Sequence, residues 1–453
     1  MIYTTWAVEP LFPNAPALRR VLSARGCGMF RDSCHVIVNQ FCGILALVLL
    51  TAGLAWSSSY KVLYNFLPNN NPTSGLITDS AGNAYGTTWD GSFENGGTVY
   101  ELSPKTGYKT LYHFSVNSGG YAPQGNLVLD SAGNLYGTTL FGGVSSSECE
   151  FGGTCGVVFE LTPPSNGELW TETVLYTFCS HANCMDGSNP QSGVIFDSAG
   201  SLYGTTYKGG SQSAGLVFEL SPNSGGWSET VLYNFCTQTN CADGSNPYGA
   251  PIFDAVGNLY GTTMAGGLSA GTAFKLSPAG GGWTETVLYS FCSQTKCADG
   301  GIPYAGLAFD AAGDLYGTTS SGGNLNCGGC GTVFELTPSV SGSWTETSLI
   351  TFGGPDGAEP YAGVTLDPSG NVYGTTFQGG DNGSGCGRFG CGTVFELTPG
   401  VGGEWTERLF RFPDEASGIR PKSPITLDST GNVYGTTTVG GQNVTGGVFR
   451  ITR

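Results

Sequence analysis

Asp254-Ala-Val-Gly-Asn-Leu-Tyr-Gly-Thr-Thr263 is the stretch on which the reading turns, because its last four residues return throughout the chain. Tyr-Gly-Thr-Thr begins at Tyr85, Tyr136, Tyr203, Tyr260, Tyr316, Tyr373 and Tyr434, seven copies spaced 51 to 67 residues apart. A block returning at that period marks a repeat architecture, in which one supersecondary unit buries its apolar face only against its neighbours.

Outward from Tyr260, each copy resolves into four strand-like segments. Pro251 to Asp254 reads as strand A and Leu259 to Thr263 as strand B. Between them Asp254-Ala-Val-Gly-Asn258 has the aspartate, glycine and asparagine that suit turn hydrogen bonds and positive φ. A glycine-rich loop leads to strand C, Gly271 to Leu276, which a Ser-Pro and glycine run is expected to break before strand D, Trp283 to Phe291. Four such strands make one propeller blade, so the expectation is an all-β, seven-bladed β-propeller. The two ends strengthen it. The last copy stops at Gly447-Val-Phe-Arg-Ile451, its strand C, while Tyr60-Lys-Val-Leu-Tyr-Asn-Phe66 ahead of the first copy matches the missing strand D. An N-terminal strand that completes the last blade closes a ring and removes an exposed edge.

Composition agrees. The chain has 75 glycines and only 11% charged residues, as many tight turns between short strands require. Its formal charge is -17. Four of the 17 basic and two of the 34 acidic residues lie in residues 1–55, which leaves 13 and 32, a net of -19, on the rest. Nucleic acid and anionic lipid are excluded as partners, since both need Lys and Arg to replace counterions.

The apolar run Gly43 to Leu54, followed by Ala55 and serines, reads as the hydrophobic region and cleavage site of a secretory signal. Residues 1–55 are therefore assigned to an N-terminal extension and signal peptide cleaved after Ala55, with Met29 as a candidate true start, and residues 56–453 to the propeller. The alternative is an uncleaved anchor, although the run is short for a membrane span. Cleaved, the chain carries no such span, and a monomer is expected.

Beyond residue 55 twelve cysteines form six local pairs: Cys149/Cys155, Cys179/Cys184, Cys236/Cys241, Cys292/Cys297, Cys327/Cys330 and Cys386/Cys391. An even set of close pairs suits disulfides in an oxidising compartment, extracellular, cell-surface or periplasmic. Zinc is the rival reading, because Cys327-Gly-Gly-Cys330 has ligand-like spacing, but zinc needs four ligands. In a propeller the D-to-A and B-to-C loops share one face, and all six pairs fall on them. The length variation of the repeats falls there too, which makes that face the expected binding surface.

The series Asp-x-x-Gly-Asn-Leu-Tyr-Gly-Thr-Thr, then Gly-Gly, Gly-Thr-Val-Phe-Glu-Leu and Trp-Thr-Glu-Thr-Val-Leu-Tyr-x-Phe, resembles the GloVer tandem repeat family of exported bacterial proteins over about residues 60–453. Its Asp-x-x-Gly-Asn-x-Tyr core is also similar to the turn of NHL and SBBP propeller repeats. The resemblance implies export and a propeller and carries no activity. Members often end in a sorting or anchoring segment; with strand C as its last element, this chain is expected to be released or periplasmic.

Chemistry-bearing motifs are sparse. No phosphate-binding glycine loop is present, and His113 and His181 lack the flanks of a catalytic triad. Asp186, Asp243, Asp299 and Asp356 each precede glycine in a D-to-A loop, a partial ring of acids that would serve as turn formers, as calcium ligands, or as the acid and base of a polysaccharide-cleaving site. Tyr248, Tyr304 and Tyr361 each follow a proline ahead of strand A, where they would pack between blades or stack on sugar at the channel mouth. Glu148, Glu150, Glu359, Asp381 and Arg388 break the repeat symmetry on the loop face. The leading expectation is a secreted, non-enzymatic binding or scaffold propeller that engages a carbohydrate or an extracellular protein, without a cofactor unless calcium binds. The alternative is a propeller lyase or glycosidase with carboxylates at the channel mouth.

Overall fold

The computed structural model describes residues 59–91, 95–117, 119–149, 153–165, 170–380, 386, 389–443 and 445–453. The expected signal peptide, its cleavage site and the internal start lie outside them. The described chain, from Ser59, forms seven antiparallel sheets with strands in the spatial order A-B-C-D, six of them meanders, which is a seven-bladed β-propeller. In blade four the strands are Ile252–Phe253, Leu259–Ala265, Thr272–Ala279 and Gly282–Ser290.

The seventh sheet is closed as expected. Ser59–Asn65 pairs antiparallel with Gly447–Thr452, Tyr60 opposite Ile451 and Asn65 opposite Gly447. The closing strand also grips both neighbours. Tyr60 stacks on Phe410 of blade six at 5.0 Å, and Tyr64 on Tyr108 of blade one at 3.9 Å.

Each letter of Tyr-Gly-Thr-Thr has a separate physical task. The Tyr260 hydroxyl donates to Asp254 at 3.1 Å, while the same carboxylate accepts from the backbone N–H groups of Val256 and Asn258 and from the Asn258 amide. Gly261 lies under the Phe274 ring of strand C, and a Cβ there would sit 2.7 Å from it. The Thr263 hydroxyl ties strand B to Thr272 of strand C at 2.9 Å.

Thr262 is the one that leaves its blade, donating to the Ala305 carbonyl of blade five at 2.7 Å. Its counterparts repeat the bond around the ring: Thr87 to Pro123, Thr138 to Ser192, Thr205 to Gly249, Thr318 to Ala362, Thr375 to Ser423 and Thr436 to Ser74. The last of these joins blade seven to blade one. Tryptophans supply a second inter-blade contact: Trp344 meets Tyr260 and Trp405 meets Tyr316 edge-on, each reaching back one blade.

Three details differ from the sequence expectation. Strand C runs through Ser277-Pro278 to Ala279, with Pro278 paired to Trp283, because the fixed φ of proline fits extended backbone. Gly280 and Gly281, at φ 50° and 102°, then make the hairpin turn. Strand D carries an extra residue, Leu288 in blade four, where the register shifts. Blade six has no shift, since Trp405 to Phe412 is one residue shorter than Trp283 to Phe291. Strand A is shorter than expected, because a separate inner segment precedes it: Ser245–Pro247 pairs with strand B before the chain bulges into the channel at Tyr248.

Replacing Thr205 by valine would leave the Gly249 carbonyl without its donor. Urea unfolding of Thr205→Val is expected to report a loss of about 1–3 kcal/mol. An unchanged midpoint would mean that the bond is dispensable.

Candidate functional site

Seven buried prolines, Pro72, Pro123, Pro190, Pro247, Pro303, Pro360 and Pro421, turn the chain into the centre of the ring, one per blade. The residues that follow them are Thr73, Gln124, Gln191, Tyr248, Tyr304, Tyr361 and Lys422. All seven are half-buried and line a single cavity of about 310 Å³. Backbones of adjacent blades nearly touch here. A Cβ on Gly249 would collide with the backbone of Ala305 and Gly306, so the ring is held by main chain and its side chains are free to differ.

A second space of about 320 Å³ adjoins the first and shares Gln191, Tyr248, Tyr304, Tyr361 and Lys422 with it. Tyr207 and Met264, just past the Tyr-Gly-Thr-Thr blocks, line it from the loop side. The three tyrosines therefore border both spaces, which fall at the lower end of the 300–1,000 Å³ range of small-ligand sites.

The tyrosines do both things that the sequence allowed. They pack on one another across blades, Tyr248 to Tyr304 at 5.1 Å and Tyr304 to Tyr361 at 5.0 Å, both edge-to-face. They also line the cavity, each only partly buried. Burial, and then the neighbouring Tyr304 and Tyr207, push the Tyr248 phenol up to about 12, so it stays protonated. Its hydroxyl reaches across the channel to the Gln124 amide oxygen at 3.5 Å.

The polar side of the ring is unlike the aromatic side. The Gln191 Oε1 atom is buried without a hydrogen-bond partner. Lys422 lies 5.8 Å from the centre of the Tyr361 ring, and burial draws its ammonium below the ordinary lysine range. Glu359 is held elsewhere, accepting from Tyr361 at 3.1 Å and from the Gln378 amide at 2.8 Å. No aspartate or glutamate is among the described residues that line either space.

The acids expected at the mouth are a correction. Asp186, Asp243 and Asp299 are fully buried in their own loops and line neither space. Asp186 accepts from the Tyr176 hydroxyl, the Ser180 N–H and hydroxyl, and the His181 N–H, at 2.8–3.2 Å. Asp243 and Asp299 repeat the pattern on Tyr233, Thr237 and Gln238, and on Tyr289, Ser293 and Gln294. A carboxylate with its oxygens so engaged is a loop hub, and neither a ligand-facing group nor half of a catalytic pair at the mouth. Asp356 is half-buried and accepts from the Gly353 N–H at 2.7 Å.

Disulfides close the same loops. Cys179–Cys184, Cys236–Cys241 and Cys292–Cys297 bracket the residues that bond to the three hubs. Cys149–Cys155, Cys327–Cys330 and Cys386–Cys391 close B-to-C loops. The sulfurs of Cys149, Cys155, Cys179 and Cys184 all lie within 4.8 Å of one another, a meeting of blade two's two loops that sequence spacing does not disclose. Paired as two disulfides, they offer no thiolate to a metal. Glu148 is exposed, and Glu150, Asp381 and Arg388 lie outside the described residues.

Each of the four D-to-A loop acids has a glutamate from the next blade's strand D beside it. Burial, and then Asp186, Asp243 and Asp356 respectively, raise Glu229, Glu285 and Glu407 from 4.5 to about 7. The buried Oε1 of each has no hydrogen-bond partner. For Asp299, burial alone would raise the pKa, but hydrogen bonds from Ser293 and Tyr289 outweigh it and lower the value from 3.8. The two groups act in opposite pH windows. The stability that Asp299 contributes is lost only in acid, as the pH falls through its lowered value. Glutamates that hold protons more tightly when folded contribute stability that is complete below 4.5 and lost as the pH rises to about 7. The melting temperature is expected to fall between about pH 5 and pH 8. The triple variant Glu229→Gln, Glu285→Gln, Glu407→Gln should flatten that slope and melt higher at the alkaline end; an unchanged slope would contradict the assignment.

With this geometry in place, comparison with known proteins adds the lineage. A search of curated proteins finds no match. Among solved structures, one from Bacteroides uniformis, provisionally described as a 6-phosphogluconolactonase, is similar at 15% identity and a TM-score of 0.47, over 78% of this chain and 88% of that one. The model of the Gloeobacter/Verrucomicrobia repeat matches residues 54–242, 229–386 and 328–453. The successive matches run through all seven blades, and the chain belongs to the Gloeobacter/Verrucomicrobia repeat family.

Proposed function

We propose that the chain is an exported, monomeric, non-enzymatic propeller that binds a carbohydrate in its central channel. The observation that carries this reading is the grouping of Tyr248, Tyr304 and Tyr361 on three consecutive blades, partly buried and lining a cavity of about 310 Å³. Aromatic faces suit the C–H surface of a pyranose, and the phenol tips and the Gln124 and Gln191 amides suit its hydroxyls. A space of that volume takes one or two sugar units and not a folded protein.

Binding is favoured over cleavage by the composition of the lining. Glycoside hydrolysis generally uses two carboxylates about 5–10 Å apart, and the acids nearest in sequence are spent on their own loops. Calcium, left open by the sequence, would have to displace protein donors from those same hubs. Export is supported by six disulfides, which persist in oxidising compartments. Among the described residues, no helix is long and apolar enough to cross a membrane.

The test is retention of the purified chain on a glycan and polysaccharide panel, with calcium and then with chelator, while reducing ends are assayed. Retention without cleavage is expected. Tyr304→Ala, the central ring of the three, is expected to weaken it by about 0.5–1.5 kcal/mol, roughly 2- to 10-fold. Release of new reducing or unsaturated ends would overturn the proposal, and no retention on any glycan would redirect it to a protein partner.

A further inference from the structure

Lys422 occupies the position that tyrosine fills in the three preceding blades, and it is the one cation among the seven residues at that position. It borders both spaces of the channel. An ammonium drawn out of water ordinarily takes a carboxylate with it, since an unpaired buried charge is costly. Among the described residues, no carboxylate lines either space with it. The described ion pairs do not include Lys422, and Glu359, which bonds to the neighbouring Tyr361, is committed to Tyr361 and Gln378. Burial lowers the Lys422 pKa below the ordinary lysine range. The Tyr361 ring, 5.8 Å away, offers its face to the ammonium.

The charge of the whole chain sharpens the point. With 34 acidic residues against 17 basic ones, the protein repels anions at long range, and a half-buried ammonium facing an open cavity is a local exception to that field. In the same lining, the unpartnered Gln191 Oε1 is free to accept from a ligand hydroxyl. A donor for an anion, an acceptor for a hydroxyl and flat apolar faces, within one cavity, describe a single kind of occupant.

We propose that Lys422 reads an anionic substituent on the bound sugar, so that the ligand is an acidic saccharide carrying a carboxylate or a sulfate. This rests on the carbohydrate reading above and narrows it. In the complex the ammonium gains the counter-charge that the fold withholds, and the Tyr361 face keeps it oriented toward the cavity.

The experiment is calorimetric titration of the full disulfide-bonded chain with oligogalacturonate, its neutral galactan counterpart and a sulfated galactan of similar length. One or both anionic oligomers should bind on the order of 10-fold tighter than the neutral one. Lys422→Met should remove that preference, and Lys422→Arg should keep most of it. Lys422→Gln serves if the methionine variant does not fold. Equal binding of neutral and acidic oligomers, or a preference that survives Lys422→Met, overturns the role of Lys422 but leaves the carbohydrate reading intact. Loss of all saccharide binding in the native chain would instead mean that the carbohydrate reading itself had failed.

Discussion

The hydrogen bond from the first threonine of each Tyr-Gly-Thr-Thr block to a backbone carbonyl of the next blade is the contact on which the rest of the ring depends. It is buried, it recurs at all seven junctions, and it lands on or beside the segment that carries the channel-facing residue. Because the acceptor is main chain, the bond is indifferent to which side chain lines the channel. One threonine thus positions a neighbour's functional residue without restricting its identity. Closure by Ser59–Asn65 completes the constraint, since without it the last blade would present an unpaired strand C.

The remaining residues of the block keep strand B at its depth. Glycine admits the aromatic ring of strand C, and tyrosine pins the A-to-B turn through its aspartate. Blade five shows how much tolerance this has. Asp314 replaces the usual asparagine there, and Tyr316 donates to Glu335 at 2.6 Å instead. The Asp314 carboxyl is raised by burial and then by Asp310 and Glu335, the electrostatic consequence of losing an amide donor. Blade six, with one residue fewer in strand D, simply omits the bulge. Neither change disturbs the junction threonines, which is why the ring accommodates both.

The architecture was legible because a repeat displays itself several times over, and because the split of the last blade has no purpose in an open array. Chemistry was less legible. Asp-Gly in a D-to-A loop looks identical in sequence whether the carboxylate points to solvent or into its own turn. Only the placement of Tyr176, Ser180 and their counterparts decides that it points inward. The tyrosines stood out by type, but Gln191 and Lys422 did not, since amides and lysines on loops are commonplace. Their signal lay in register: each follows the same proline as the tyrosines do. The meeting of Cys149, Cys155, Cys179 and Cys184 had no such signal, because it depends on the path of a loop and not on spacing.

That register explains why this position is suited to recognition. Proline fixes the backbone on one side and a close main-chain approach fixes it on the other, so the side chain between them bears little structural load. Within one chain the seven copies have diverged there to threonine, glutamine, tyrosine and lysine, while the blocks around them stay nearly uniform. A packing role alone would favour one side chain seven times. An aromatic arc on three adjacent blades, with amides on two others and an ammonium between the arc and the remaining blade, breaks the ring's symmetry in the way an asymmetric ligand requires. The scaffold is repetitive so that it can close; its central ring is not, and the side chains that differ there are placed to discriminate between ligands.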